Sequence, residues 1–406
     1  MPASIQSIQL HPEAPDAQAS LAVTVEIAVT GLVFDLDCVL EWCIAGEGSA
    51  RLTRHLRQDG VDISWLPPGH YRLTFHTPRL PLPPAQYQLV VSLLQQRMGE
   101  ESGLDRQQTL CPVAGPDADG PGTADGMSAA WDLVAAAGAP AVEQLSWRKG
   151  HEDWFFRHFD HAARTIISYM LNNSPLLRKR VLDVGCGDGI TDLGVCLRCQ
   201  PEEMVGIDPF RGFDRLPGIA AENHLPESLW PGQLRFEAAD ANDIPYPDDH
   251  FDVVLSWGSL EHIAGGYDKA LLEIRRVLKP GGLFFVHPGL YYSNFGHHLG
   301  EFSQEPFFHL TRSPEEVRDI VFNTPPSYMD RSGEFSTPEQ YWQWYNELNP
   351  ITVAGFEQEL KDLDFELYRV ALRTEDLIEY SHPKLQAYGM QDLATVELYL
   401  SAWNRK

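Results

Sequence analysis

No stretch of this 406-residue chain strings together the roughly 18 apolar residues that a membrane-crossing helix needs. Nor do the first residues show a charged segment followed by a long apolar one, so a cytoplasmic location is expected. Positive charge is scarce: 31 Lys and Arg stand against 57 Asp and Glu, a formal charge of -26. Nucleic-acid binding draws on a basic footprint that displaces counterions, so a nucleic-acid partner is disfavoured. Cysteine is also sparse. Six residues, Cys38, Cys43, Cys111, Cys186, Cys196 and Cys199, do not make a disulfide framework in a chain of this length. Cys196 and Cys199 have the C-x-x-C spacing but lack the second pair of a structural zinc site, so packing is their expected role. His297, His298 and His309 lie near Glu301 and Glu305, yet no compact ligand spacing emerges, and no metal is expected.

What is present is the composition of a folded protein: 43% hydrophobic residues, 11% aromatic, ten tryptophans. The length suits two or three domains. In the first 113 residues, Leu21, Val23, Val25, Ile27 and Val29 alternate with smaller or polar residues, the period of a half-buried strand. Cys38 to Ile44, Tyr71 to Phe75 and Tyr87 to Leu93 repeat it, with Pro67-Pro68-Gly69 and Pro81 to Pro84 as punctuation. A β-sandwich over 1–113 is expected. A linker over 114–144 follows, rich in Gly, Ala, Asp and Pro in its first part. Phe155, Phe159, Ala162, Ile166 and Met170 then recur at helical spacing, predicting a helix over about 152–171.

Arg180 to Val184 is a short apolar strand that runs into Gly185-Cys186-Gly187-Asp188-Gly189, followed by helix-compatible residues. Glycines there let the backbone approach a ligand and take φ values forbidden to a Cβ. A second strand, Met204 to Ile207, ends at Asp208, where a carboxylate can accept both ribose hydroxyls of an adenosine. A third acid, Asp240, with Ala241 and Asn242, is placed to meet an adenine edge. Further strands are supplied by Pro247 to Ser256 and Leu283 to His287. A nicotinamide site would more often show G-x-G-x-x-G, whereas Ile190 and Asp192 follow the last glycine here.

These phrases, in this order, resemble the class I S-adenosylmethionine-dependent methyltransferases over about 175–290. The resemblance implies a Rossmann-like α/β domain over 145–406 with sheet order 3-2-1-4-5-7-6, the last two strands being Asp364 to Ala371 and Val396 to Trp403. It implies S-adenosylmethionine as cofactor, held by Asp183, Gly185, Cys186, Gly187, Gly189, Asp208, Pro209, Asp240, Ala241, Asn242, Ser256 and Trp257. Cys186 is expected to supply only a small side chain. The phrases Leu66 to Tyr71 and Leu80 to Tyr87 resemble the carbohydrate-recognising β-sandwich of O-antigen ABC exporter ATPase subunits.

An aromatic and histidine-rich insertion spans about 288–350. His287, Tyr291, Tyr292, His309 and Trp344 are candidate acceptor-binding residues, since aromatic platforms and hydrogen-bond donors suit a polyhydroxylated molecule. His262, His297 and His298 are the candidate bases for deprotonating a hydroxyl. The expected activity is O-methylation of a sugar hydroxyl on a glycan or glycolipid precursor. Methylation of a small natural product and a non-catalytic binding protein are the alternatives. The exposed strand edges of the sandwich offer a surface for a homodimer.

Overall fold

Alternating burial shapes the amino-terminal strands. The computed structural model describes residues 1–11, 20–47, 49–113, 129–328, 336–375 and 377–406. Contacts divide the chain into two units: 1–160 with 219–230, and 161–218 with 231–406. In the first unit, β1 (Ala3–His11), β2 (Leu21–Val29), β3 (Val33–Ile44), β4 (Ala50–His55), β5 (Ile63–Leu66), β6 (Gly69–Thr77), β7 (Ala85–Arg97), β8 (Glu100–Val113) and β9 (Ala130–Ala135) form two antiparallel sheets. One has the order β1-β2-β6-β9; the other runs β4-β3-β7-β8 with β5 on β3. Between them, Trp42 of β3 meets Phe75 of β6 at 6.0 Å between ring centroids, and both are fully buried. Of the segment expected as linker, 114–128 lie outside the described residues. Ala130–Ala135 within it are the strand β9, paired with β6.

The two proline-rich phrases have a structural use. Tyr71 donates its hydroxyl to Pro67 O at 2.9 Å, and Tyr87 donates to Pro83 O at 3.1 Å. Each pins a strand to the turn four residues upstream, in the manner of a tyrosine corner. Both rings are buried.

The second unit is built on β10 (Arg180–Val184), β11 (Glu203–Ile207), β12 (Leu234–Glu237), β13 (Phe251–Trp257), β14 (Leu278–His287), β15 (Phe365–Thr374) and β16 (Thr395–Asn404). Its order is β12-β11-β10-β13-β14-β16-β15. The first five strands are parallel, and β16 runs antiparallel to both β14 and β15. Residues 181–184 of β10 and 251–256 of β13 are buried without alternation, because helices cover both sheet faces. The chain leaves β10 toward β11 on one side, while β13 lies on the other. The crevice outside their carboxyl ends is where such sheets bind ligands.

Two elements differ from expectation. The strand expected from Leu283 begins at Leu278, which pairs with Phe251 across an irregularity. The helix expected over 152–171 winds wider than an α-helix over Arg157–Ala162 and Thr165–Met170. Widening shifts the facing side chains, so adjacent pairs such as Ile166 and Ile167 are both buried. In the first unit, Asp160 on this helix accepts from Ser64 Oγ and, at 3.1 Å, from Trp65 Nε1.

Candidate active site

The loop after β10 is fixed by glycine geometry. Gly185, Gly187 and Gly189 have φ of 79°, 57° and 75°, the left-handed region. A Cβ on Gly185 would lie 2.3 Å from Ser259 Oγ, and one on Gly189 2.5 Å from Phe236 Cζ. At Gly187 a Cβ would meet nothing within 4 Å. Two of the glycines are thus demanded by packing as well as conformation, while the middle one faces open space.

Asp208 follows β11 and braces this loop. Gly187 N–H donates to its Oδ2 at 3.1 Å, and Phe210 N–H to Oδ1 at 2.8 Å. Two strand-end segments, from β10 and β11, are thereby locked around one carboxylate. Pro209 is exposed, and Phe210 beside it is 80% exposed, a large apolar ring held out of the core next to the ribose-binding candidate. Past β12, Asn242 N–H donates to Asp240 Oδ1 at 2.8 Å, a tight turn that spans Ala241. Asn242 Oδ1 is buried and accepts no hydrogen bond among the described residues. Such an atom fits a ligand donor such as an exocyclic amine.

Beneath the loop sit two buried carboxyls, Asp183 on β10 and Asp192 on the helix Ile190–Cys199. Burial raises the Asp183 pKa to about 6, and burial together with the Asp183 charge raises Asp192 well above the usual carboxylate range. Both acids therefore keep their protons to higher pH than a free aspartate would. Cys186 is also buried. Its thiol is pushed well up, first by burial and then by the surrounding aspartates, so it is not a thiolate nucleophile.

Ser256 and Trp257 end β13. Ser256 spends its hydroxyl on Val184 O at 3.0 Å, tying β13 to β10, and Ser259 Oγ donates to Gly185 O at 2.8 Å. Trp257 lies 4.7 Å from the His287 ring, and His287 stacks on Tyr399 at 4.3 Å and 5°. His287 Nδ1–H donates to Leu398 O at 2.9 Å, which leaves Nε2 as the acceptor. Burial lowers its pKa, which favours the neutral ring.

The structure separates the three candidate bases. His297 is fully buried, and its Nδ1 accepts from Leu299 N–H at 2.9 Å. Burial drives its pKa down to about 2, the nearby His309 and His298 adding to the fall. It packs edge-on against Phe308 at 4.3 Å. Desolvation opposes the charged form of His297, which weighs against the proton-accepting role expected of it. His298, its neighbour in sequence, is exposed and meets the His262 ring edge-on at 4.6 Å. His262 Nε2 lies 3.6 Å from Glu261 Oε1.

Glu261 was missing from the expected site. It follows β13 in the turn Leu260–His262 and is 2% exposed. Its place beside His262, between the apolar Leu260 and Ile263 just after β13, is the signal that would have marked it. Among the expected acceptor residues, His309 is buried and donates Nε2–H to Tyr291 O at 2.7 Å, so its role there is structural. Tyr291 and Tyr292 are half-buried against Phe307, Leu310, Leu385 and Leu393. Trp344 packs elsewhere, on the cluster of Leu299, Phe308, Val317, Val321 and Tyr341. The insertion thus packs two apolar clusters, linked where the Tyr291 and Tyr345 hydroxyls share a hydrogen bond.

The sheet is Rossmann-like, with a glycine loop at its switch point braced by an acid on the next strand, an arrangement that suits a nucleotide-bearing cofactor. Residues 155–329 match the family described as "Methyltransferase domain". Over 106 residues the chain is 35% identical to the fatty-acid O-methyltransferase of Mycolicibacterium smegmatis, covering 26% of this chain and 35% of that protein. Over 141 residues it is 36% identical to the tRNA U34 carboxymethyltransferase of Pseudomonas aeruginosa, covering 34% of this chain and 41% of that protein. The chain therefore spans less than half the length of either relative. A solved structure of geranyl diphosphate C-methyltransferase from Streptomyces coelicolor A3(2), with Mg2+, geranyl diphosphate and S-adenosyl-L-homocysteine, is similar at a TM-score of 0.34 and 13% identity, covering 56% of this chain and 71% of that one.

Proposed function

We propose that the protein transfers a methyl group from S-adenosylmethionine to a hydroxyl oxygen. The observation that carries the reading is the loop: Gly187 faces open space while its N–H is held by Asp208, whose carboxylate stands at the carboxyl end of β11. The residues fit the cofactor, with Asp208 for the ribose, Asn242 Oδ1 for the adenine amino group and the loop backbone alongside. When bound, the cofactor supplies an electrophilic methyl on a sulfonium. The hydroxyl oxygen forms the new bond to carbon as the carbon–sulfur bond breaks, and the hydroxyl proton is released. The protein's part is to orient the hydroxyl, exclude water and take charge of that proton, work we assign to the face carrying Glu261, His262 and His298.

The acceptor we propose is a sugar hydroxyl of a glycan or glycolipid precursor. Support comes from the β-sandwich at the amino end and from the aromatic insertion between β14 and β15. A second reading, a small hydroxylated or carboxylated metabolite, is favoured by the likeness to a fatty-acid O-methyltransferase. Calorimetry with S-adenosylmethionine and its demethylated product tests the first step, and absence of binding by the folded protein would overturn it. For the acceptor, oligosaccharides, lipid-linked sugars, fatty acids and small hydroxylated metabolites are offered and products read by mass spectrometry. Methylated sugars are expected. Products confined to fatty acids or small metabolites would replace the sugar reading and leave methyl transfer standing.

A further inference from the structure

The sequence shows no metal-ligand spacing, because the residues in question come from two separate loops. Folding brings them together. Glu261 and His262 leave the end of β13, while His298 arrives from the insertion after β14. One ligand atom from each lies within 4.8 Å of the other two. We propose that Glu261, His262 and His298 bind a divalent first-row transition-metal ion.

Three features of the fold support this beyond proximity. First, the turn bearing Glu261 and His262 is rigid. Asn349, buried, donates its backbone N–H to Glu261 O at 2.8 Å and its Nδ2 to Leu260 O and Ile263 O at 2.8 and 2.9 Å. A side chain that spends both amide hydrogens on one turn holds its residues to a fixed direction, as ligand sites require. Second, space is reserved for the carboxylate. A Cβ on Gly289 would lie 2.7 Å from Glu261 Oε1, so only glycine lets the backbone pass over this acid. Third, His298 adopts a left-handed φ of 52°. That conformation costs a non-glycine residue on the order of 1 kcal/mol and clusters at ligand sites.

The chemistry of the set narrows the ion. Two imidazoles and one carboxylate are borderline donors that suit Zn2+, Co2+, Ni2+ or Fe2+ and do not suit Ca2+, which takes six to eight oxygens. The Nε2 to Oε1 separation of 3.6 Å between His262 and Glu261 compares with about 3.3 Å between neighbouring ligands around a tetrahedral ion with bonds near 2.0 Å. Burial runs from Glu261 inside, through His262, to exposed His298. An ion held there keeps open positions toward solvent and the acceptor.

The inference rests on methyl transfer at this site and names its activating group. An acceptor hydroxyl bound to the ion loses its proton to water more readily. The resulting alkoxide oxygen forms the bond to the methyl carbon as the carbon–sulfur bond breaks. The imidazoles then act as ligands, not as the proton acceptor.

Co2+ is the probe, because its visible absorption reports tetrahedral or five-coordinate nitrogen and oxygen ligation without any turnover. Metal-free protein titrated with CoCl2 should develop that absorption and saturate at one ion per chain. His298→Asn, which keeps a residue tolerant of left-handed φ on the surface, should weaken binding by about tenfold or more. Glu261→Gln should do the same, and circular dichroism checks that both variants fold. No Co2+ spectrum in the wild type, or an unchanged one in folded His298→Asn, overturns the proposal. S-adenosylmethionine binding is measured by calorimetry on the same samples. Cofactor binding without Co2+ binding defeats the metal site alone, while Co2+ binding without cofactor binding defeats the methyltransferase reading alone.

Discussion

Gly187 and Gly189 have similar backbone geometry but different surroundings, and this separates two effects that are usually confounded. Alanine at either position takes on the left-handed strain of about 1–2 kcal/mol. At Gly189 the new methyl also runs into Phe236, which is stacked on Phe213 at 5.2 Å, so overpacking adds about 1–3 kcal/mol. Gly189→Ala is therefore expected to lower the melting temperature clearly more than Gly187→Ala. At Gly187 the methyl enters open space at the face given to the cofactor. Gly187→Ala is expected to fold with a modest loss and to bind S-adenosylmethionine far more weakly. Thermal melts beside calorimetry decide it; equal effects on both readouts would show that the loop is merely structural at both positions. Asp208→Ala removes a charged acceptor worth about 1.5–3 kcal/mol per hydrogen bond. Cofactor affinity is expected to fall at least tenfold, read by the same calorimetry.

Strand β10 and the helix after it are joined by the Asp183–Asp192 pair, and the pair makes their stability depend on pH. Both folded-state pKa values are raised above the ordinary Asp value, Asp183 to about 6. Between about pH 4 and pH 6 the folded protein therefore holds more protons than the unfolded one. Stability is fullest below that window and is lost as pH rises through it, at about 1.4 kcal/mol per pH unit for each proton retained. Asp192→Asn keeps the shape and removes one titrating group, so the slope over this window should shrink toward that of a single carboxyl. Urea melts at a series of pH values measure it, and an unaltered slope would place the retained protons elsewhere. These elements also show how far sequence reading reaches. The strand, the glycine turn and the acid at 208 were legible because each is a local pattern with its own period and punctuation. Asp192 lay in view as part of a helix, but nothing local says that it faces Asp183. The same holds for Glu261 with His298: two loops met in space, and no spacing recorded it. His297 and His298 show the converse. They are adjacent in sequence and alike in type, and opposite burial gives them different chemistry. In the sandwich, alternation exposed the strands, yet the tyrosines of the proline-rich phrases turned out to pin turns.

At the scale of the whole chain, the formal charge of -26 bears on the acceptors that the proposed methyl transfer can serve. One relative over 141 residues acts on tRNA by its name, and the likeness is confined to 34% of this chain. A shared cofactor fold carries no information about the acceptor, since that fold supports many chemistries by changing what surrounds the sheet. Tight nucleic-acid binding depends on lysines and arginines that neutralise phosphates and release counterions, and its strength falls steeply with salt. Here acids outnumber bases, 57 to 31, and several of the arginines of the second unit are committed to neighbours: Arg276 to Glu273 and Asp248, Arg235 to Glu203 and Glu237, Arg373 to Glu397. Arginines paired in this way offer a polyanion little. The protein is therefore expected to show no saturable binding of bulk tRNA at about 0.15 M salt, and no transfer of label from S-adenosylmethionine to it. Filter binding and a radiolabel assay test both. Saturable binding that weakens with salt on a steep logarithmic slope would reveal a basic track hidden by the average charge, and would move the acceptor from an uncharged hydroxyl to a nucleotide.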